Sequence, residues 1–393
     1  MHHNRLTRRE FSSDFAAGML ASPFEATRTG GSLRRHIRKR PLAITMWDFS
    51  WLERRWPGAG YENWDKALDE LRQRGYDAVR IDAYPHLIAA GPERVWELLP
   101  QWNTQDWGAP ARCRVQVQPL LNRFIAKCAE RELVVALSTW FREDVDKTRL
   151  RISEPAELGR IWRMTLDSIA AAGLLKHLLY VDLCNEWPLD VWAPFYPRQT
   201  PRASPEGVRW MTNAIAAVRD AYPHLDYTFS FTSEYKTWRE QKVGMLDLLE
   251  LHIWMTQWSD FYRQVGYKYE RFDPKGYDNM ALHAEQLYRS KPEFWKARLE
   301  EGIEFAAEWA RTEHKPLITT ECWSVVDYKD FPLLAWDWVI ELCEHGVRRA
   351  ARTGQWHAMA TSNFCGPQFV GMWRDVSWHR RMTDVIHSAA LPS

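Results

Sequence analysis

The chain has 393 residues, 46% hydrophobic and 26% charged, with 52 basic against 51 acidic side chains and a net charge of +1. That balance supplies no whole-molecule field to draw in nucleic acid or an anionic membrane surface. No apolar run approaches the roughly 20 residues of a spanning helix.

The N-terminal segment is set apart by composition. Thr7-Arg8-Arg9-Glu10-Phe11 resembles a twin-arginine export motif, followed by a weak apolar stretch from Phe15 to Leu20. Asp14 interrupts it and no clean A-x-A site follows, so a disordered basic leader is the alternative, and residues 27–40 are also rich in Arg, Gly and Ser. Export would place the protein in the periplasm or outside the cell; without it the cytoplasm is expected. On either reading, residues 1–40 are set outside the fold and 41–393 form one domain.

From Pro41 the chain alternates strands and helices. Pro41 to Phe49 reads as strand one and Tyr61 to Gly75 as an amphipathic helix, with strand two at Asp77 to Tyr84 ended by Pro85. A long loop from Pro85 to Gln118 carries Trp96, Trp102 and Trp107. Helix 120–131, strand three (Leu133 to Phe141), helix 155–172 and strand four (Leu178 to Glu186) follow. Pro205 opens a helix to Ala221, then strand five spans Tyr227 to Ser233 and strand six Leu248 to Met255. A second long loop, Thr256 to Lys291, holds Trp258, Phe261, Tyr262, Tyr267, Tyr269, Phe272 and Tyr277. Helix 292–311, strand seven (Pro316 to Cys322), helix 333–345, strand eight (Trp356 to Asn363) and a last helix at 378–387 complete the chain. Eight such units predict an α/β fold, a (β/α)8 TIM barrel with long loops after strands two and six. An open doubly wound sheet would show a glycine-rich turn after strand one, where Trp47-Asp48-Phe49-Ser50-Trp51 stands instead.

In such barrels chemistry sits at the C-terminal ends of the strands. Strand four ends in Asp182-Leu183-Cys184-Asn185-Glu186 and strand seven in Thr319-Thr320-Glu321. Two carboxylates facing each other across the mouth suit a retaining glycosidase, which needs them roughly 5–5.5 Å apart. The 23 Trp, 14 Tyr and 16 Phe fit the same picture, because flat aromatic faces pack on the C–H faces of sugar rings. Asp48 and Glu234, at the ends of strands one and five, are the rival carboxylates, and Asp48 suits a sugar hydroxyl. Trp187, Trp323 and Trp373 are the candidate stacking platforms. The long loops are expected to close the groove into a pocket.

Asn-Glu on strand four with Glu on strand seven resembles the clan-A glycoside hydrolases, most like the cellulase-like families that include β-glucanases and β-mannanases. The resemblance implies Glu186 as acid/base, Glu321 as nucleophile and Asn185 as a ligand of the sugar 2-hydroxyl. Arg80 matches the clan's strand-two arginine, which keeps the nucleophile ionised, an effect a neighbouring guanidinium has on any carboxylate. A structural alternative is a buried ion pair between Arg80 and Asp82, which share one strand face. His252 matches a His-x-Tyr element on strand six, with Trp254 in place of the tyrosine. A strand-three histidine is missing, with Ser138-Thr139-Trp140 there. The expected function is retaining hydrolysis of β-linked oligo- or polysaccharides; a transglycosylase and a non-catalytic sugar-binding barrel are the alternatives. No cofactor is expected. The six cysteines form no C-x-x-C pair and no H-x-H follows strand one, so neither disulfides nor a metal site is expected.

Overall fold

The computed structural model describes residues 31–37, 39–102, 104–268 and 274–392. Eight parallel strands form the barrel: β1 (Leu42–Asp48), β2 (Ala78–Asp82), β3 (Val134–Ser138), β4 (Leu178–Asp182), β5 (Tyr227–Thr228), β6 (Leu249–Glu250), β7 (Leu317–Thr319) and β8 (Trp356–Met359). They pair in the order β5-β4-β3-β2-β1-β8-β7-β6. A bridge between Phe231 and Leu251 brings β5 to β6 and closes the ring, with His252 N donating to Phe231 O at 2.9 Å. Beyond β6 and β7 the chains pair again, Cys322 with Ile253 and Trp323 with Trp254. The predicted fold class is therefore observed.

Pleat alternation stacks the barrel interior in layers. Ile44, Ala78, Ala136, Tyr180, Leu248, Ile318 and Ala358 form an apolar layer at the strands' N-terminal ends. Two residues further along five of these strands the layer turns polar, with Arg80, Ser138, Asp182, Glu250 and Thr320, all fully buried. This polar layer is the floor of the mouth.

Pro155, Pro205 and Pro292 each start their helix, where a missing N–H costs nothing. The helix expected at 333–345 instead spans Asp337–Thr353. It runs through Gly346, whose missing side chain serves packing: a Cβ there would lie 2.6 Å from the Trp323 ring. Helix termination falls to Gly354, at φ 63°.

Both long loops carry structure. The one after β2 holds a helix, Pro85–Ala90, and an antiparallel hairpin of Val95–Leu98 with Cys113–Gln116. The one after β6 holds helices Phe261–Val265 and Lys275–Ser290. Tyr269 and Phe272 lie outside the described residues, as do Arg8 and Arg9 of the export-like motif.

Residues 31–37 were set outside the fold on composition, yet they pack on the barrel. Ser32–His36 form a helix whose Ser32 Oγ donates to Leu179 O at 2.7 Å, and Leu33 N donates to Asp226 at 2.7 Å. Leu33 and Ile37 join the apolar layer at the strands' N-terminal ends. All six cysteines are free, five of them buried.

Candidate active site

Arg80 anchors the site. Its Nη2 donates to Asp182 Oδ2 at 2.6 Å, Asn185 Oδ1 at 2.7 Å and Ser138 Oγ at 3.0 Å, and its Nη1 donates to Glu321 Oε1 at 3.0 Å. Asp82, the alternative partner, faces elsewhere and accepts from the backbone amides of Tyr84 and Trp140 at 2.7 and 3.0 Å. The guanidinium thus joins β2, β3, β4 and β7 in one network. Burial disfavours its charge, but Glu250 and Asp182 outweigh that and hold it protonated.

The two candidate catalytic carboxylates converge on His252. Its Nδ1 is 3.0 Å from Glu186 Oε1, and its Nε2 is 2.9 Å from Glu250 Oε2 and 3.6 Å from Glu321 Oε1. One oxygen of Glu186, one ring nitrogen of His252 and one oxygen of Glu321 lie within 4.8 Å of one another. Glu186 is further set by Trp192 Nε1 donating to its Oε2 at 3.1 Å, and by its own amide donating to Ser230 Oγ at 2.8 Å.

This clustering controls charge. Burial alone would make His252 neutral, but Glu250, Glu321 and Glu186 together raise it well above its usual range, so it is cationic. Burial opposes ionisation of Glu250 as well, yet His252 and Arg80 draw it down to about 2. Burial would also raise Glu186, but the hydrogen bond and charge of His252, with Trp192, hold it below the ordinary carboxylate range. Burial pushes Glu321 up, to about 7; His252 and Arg80 oppose this, while Glu186 and Glu250 reinforce it. These donors are also the described grouping that could hold a metal ion.

A pocket of about 450 Å³, counted out to its mouth, opens over the pair and includes Asp48, Asn185, Glu186, Trp254 and Glu321 in its wall. Asp48 is buried, and desolvation pushes its carboxyl well above the usual range. Trp254 presents an indole N–H with no partner among the described residues, as does the Nδ2 of Asn185. Each such buried group costs roughly 1–3 kcal/mol when left unpaired, so a hydroxyl-rich ligand fits the wall.

The three expected stacking platforms lie elsewhere. Trp187 packs against Tyr196, at 4.4 Å between ring centres, and against Trp210. Trp323 packs towards Trp356 and donates to Ala360 O at 3.0 Å. Trp373 lies under Arg74, 4.0 Å from its ring centre, and donates to Glu70 at 2.8 Å. Trp187 directly follows Glu186 and Trp323 stands two residues past Glu321, yet both rings turn away from the pocket into aromatic packing. Glu234 is also absent from the pocket wall.

The aromatic wall is built instead by Phe49, Trp102, Trp107, Trp140 and Trp192. Trp140 and Asn363 carried a sequence signal, since both follow a barrel strand. Glu250 carried one too, as a lone carboxylate in an apolar strand two residues before His252. Trp192, Gln105 and Asp327 stand in loops without periodicity, where spacing gives no signal.

A parallel (β/α)8 barrel with two buried carboxylates meeting at its mouth defines the class, that of the glycoside hydrolase barrels. Within it, the chain belongs to the cellulase-like family, whose model, described as sugar-binding cellulase-like, matches residues 44–387. Among solved structures, a protein of Parabacteroides distasonis described provisionally as a glycoside hydrolase is 53% identical. The match covers 90% of this chain and 95% of that one, with a TM-score of 0.88. An endo-beta-1,4-mannanase from Thermotoga petrophila shares the fold at 12% identity, covering 89% and 78% of the two chains, with a TM-score of 0.51. So does a GH5_18 protein from Streptomyces cattleya in complex with GlcNAc, at 12% identity, 90% and 83% coverage and a TM-score of 0.50. No curated protein matches the chain.

Proposed function

We propose that the protein hydrolyses β-glycosidic bonds with retention, by double displacement. The observation that carries this reading is the approach of Glu186 and Glu321 to within 4.8 Å of each other and of His252. That approach fits the roughly 5–5.5 Å spacing of a retaining pair and falls short of the roughly 6.5–9.5 Å of an inverting pair, so it suits direct attack by a carboxylate.

Glu321 is the nucleophile, held by Arg80 at 3.0 Å. Its oxygen bonds to the anomeric carbon as the glycosidic C–O bond breaks. Glu186 protonates the departing oxygen. The proton it needs is stored next to it, on His252, across the 3.0 Å contact between Nδ1 and Oε1. Water then attacks the glycosyl-enzyme ester, Glu186 takes the water's proton, and Glu321 leaves. Asn185, fixed by Arg80, turns its unpartnered Nδ2 to the sugar 2-hydroxyl. Asp48 and Trp254 supply further contacts to the sugar. The substrate class is a β-linked oligo- or polysaccharide.

The test is a panel of aryl β-glycosides with Glu321→Gln and Glu186→Ala alongside wild type. Glu321→Gln should lose at least about 1,000-fold in kcat. Glu186→Ala should regain turnover with added azide on a 2,4-dinitrophenyl glycoside and release a β-glycosyl azide. Near wild-type turnover in either variant, or an α-azide product, would overturn the assignment.

A further inference from the structure

One side of the pocket is closed by residues that the double-displacement steps do not use. Round the mouth from Glu321, the next wall positions are Asp327 after β7, Asn363 after β8 and Asp48 at the end of β1. The loop after β2 then crosses to meet them. Trp107 packs edge-on against Phe369 at 4.7 Å, Gln105 Nε2 reaches the Tyr267 hydroxyl at 3.5 Å, and Lys329 Nζ donates to the carbonyl of Thr104. The pocket is therefore blocked on the nucleophile's side, where the sugar that becomes bonded to Glu321 must sit.

Within this blocked end, Asp327 Oδ2, Asn363 Oδ1 and Gln105 Oε1 are buried without a hydrogen-bond partner among the described residues. All three are acceptors. Asn363 and Gln105 already spend their amide N–H groups, on Val326 O at 3.1 Å and on Tyr267. The Tyr262 hydroxyl accepts from the amides of Val326 and Asp327 at 2.8 and 3.0 Å, so the tyrosine-rich insertion sets the position of the Asp327 carboxylate. Asp327 forms no ion pair with a described residue; burial raises its carboxyl to about 7, a hydrogen bond with Tyr267 draws it down, and neither Lys nor Arg lines the pocket. Orphaned acceptors call for donors, and a sugar ring offers hydroxyls.

We propose that Asp327, with Asn363 and Gln105, forms a blind subsite that grips the hydroxyls of a non-anionic terminal sugar. The enzyme therefore works from chain ends and rejects uronic or sulfated sugars at this position. This inference rests on the double-displacement reading and specifies its substrate.

Two experiments test it. On β-1,4-linked gluco- and manno-pentasaccharides the expected first product is a monosaccharide; internal fragments from the first turnovers would overturn the blind end. On 4-nitrophenyl β-D-glucoside, mannoside, galactoside and glucuronide, a preference for the glucuronide would overturn the charge argument. Asp327→Asn should lower kcat/KM on the best neutral glycoside by about 100-fold. Monodeoxy versions of that glycoside separate binding from folding. One of them should be poor for wild type yet cost Asp327→Asn no further loss. If every deoxy position costs the variant as much as wild type, Asp327 grips no hydroxyl. Failure of the underlying reading looks different: Glu321→Gln would then keep its turnover, or wild type would cleave no β-glycoside, and both proposals would fall together.

Discussion

Arg80 reaches the mouth from the polar layer beneath it, and its fork explains why the candidate catalytic carboxylates are placed as they are. One branch fixes Asp182 and Asn185, the other Glu321. With His252 it supplies the positive charge that offsets four buried carboxylates, Asp182, Glu186, Glu250 and Glu321. Burial first, and then the repulsion of Glu186 and Glu250 that this offset leaves, raise the Glu321 carboxyl to about 7. Attack requires the ionised form, and below that pH its fraction falls tenfold per unit. We therefore expect kcat/KM on a 2,4-dinitrophenyl glycoside, whose leaving group needs no proton, to show an acid limb near pH 7. His252 lowers the Glu321 pKa, so His252→Ala should move that limb to higher pH; a limb left in place would separate it from Glu321. Most of this cluster was legible from strand ends and from the family resemblance: Arg80, Asn185, Glu186, His252 and Glu321 all meet. The platforms were not legible, because closeness in sequence to a candidate catalytic residue does not say which way a side chain turns past the strand end.

At the scale of elements, the least expected feature is the helix Asp337–Thr353, which runs through Gly346. A glycine inside a helix usually costs about 0.5–1 kcal/mol relative to alanine, so replacing it would ordinarily stabilise. Here a Cβ would meet Trp323 Cγ at 2.6 Å. Trp323 cannot yield easily: its ring donates to Ala360 O at 3.0 Å and its backbone pairs with Trp254. Overpacking of this kind costs about 1–3 kcal/mol and outweighs the helix gain. Gly346→Ala should therefore lower the urea midpoint. Because Trp323 lies two residues past Glu321, it should also reduce kcat by about tenfold or more. Unchanged stability would mean that the contact relaxes elsewhere. Local composition marks a glycine but not what approaches it, so the packing role of Gly346 was not legible in the sequence.

At the scale of the whole molecule, the two ends of the barrel divide their tasks. The alternation of strand and helix made the barrel legible, but the element that covers its N-terminal end was not. Residues 27–40 read as leader because Arg, Gly and Ser dominate them. The one contrary signal is that Leu33 and Ile37 stand four residues apart, on one face of a helix. The structure buries both against the apolar layer formed by Ile44, Ala78 and their neighbours. Ser32 and Asp226 hold the helix there, through Leu179 O and the Leu33 amide. Leu33 is 2% exposed, so Leu33→Ala should cost about 2–3 kcal/mol in urea denaturation. Its cluster is made of residues at the strand beginnings, whereas Glu186 and Glu321 lie past the strand ends, with the Arg80 layer between. kcat and KM of the folded variant should therefore equal those of wild type. A loss of kcat without a loss of stability would show instead that packing at the closed end is transmitted through the polar layer to the catalytic pair.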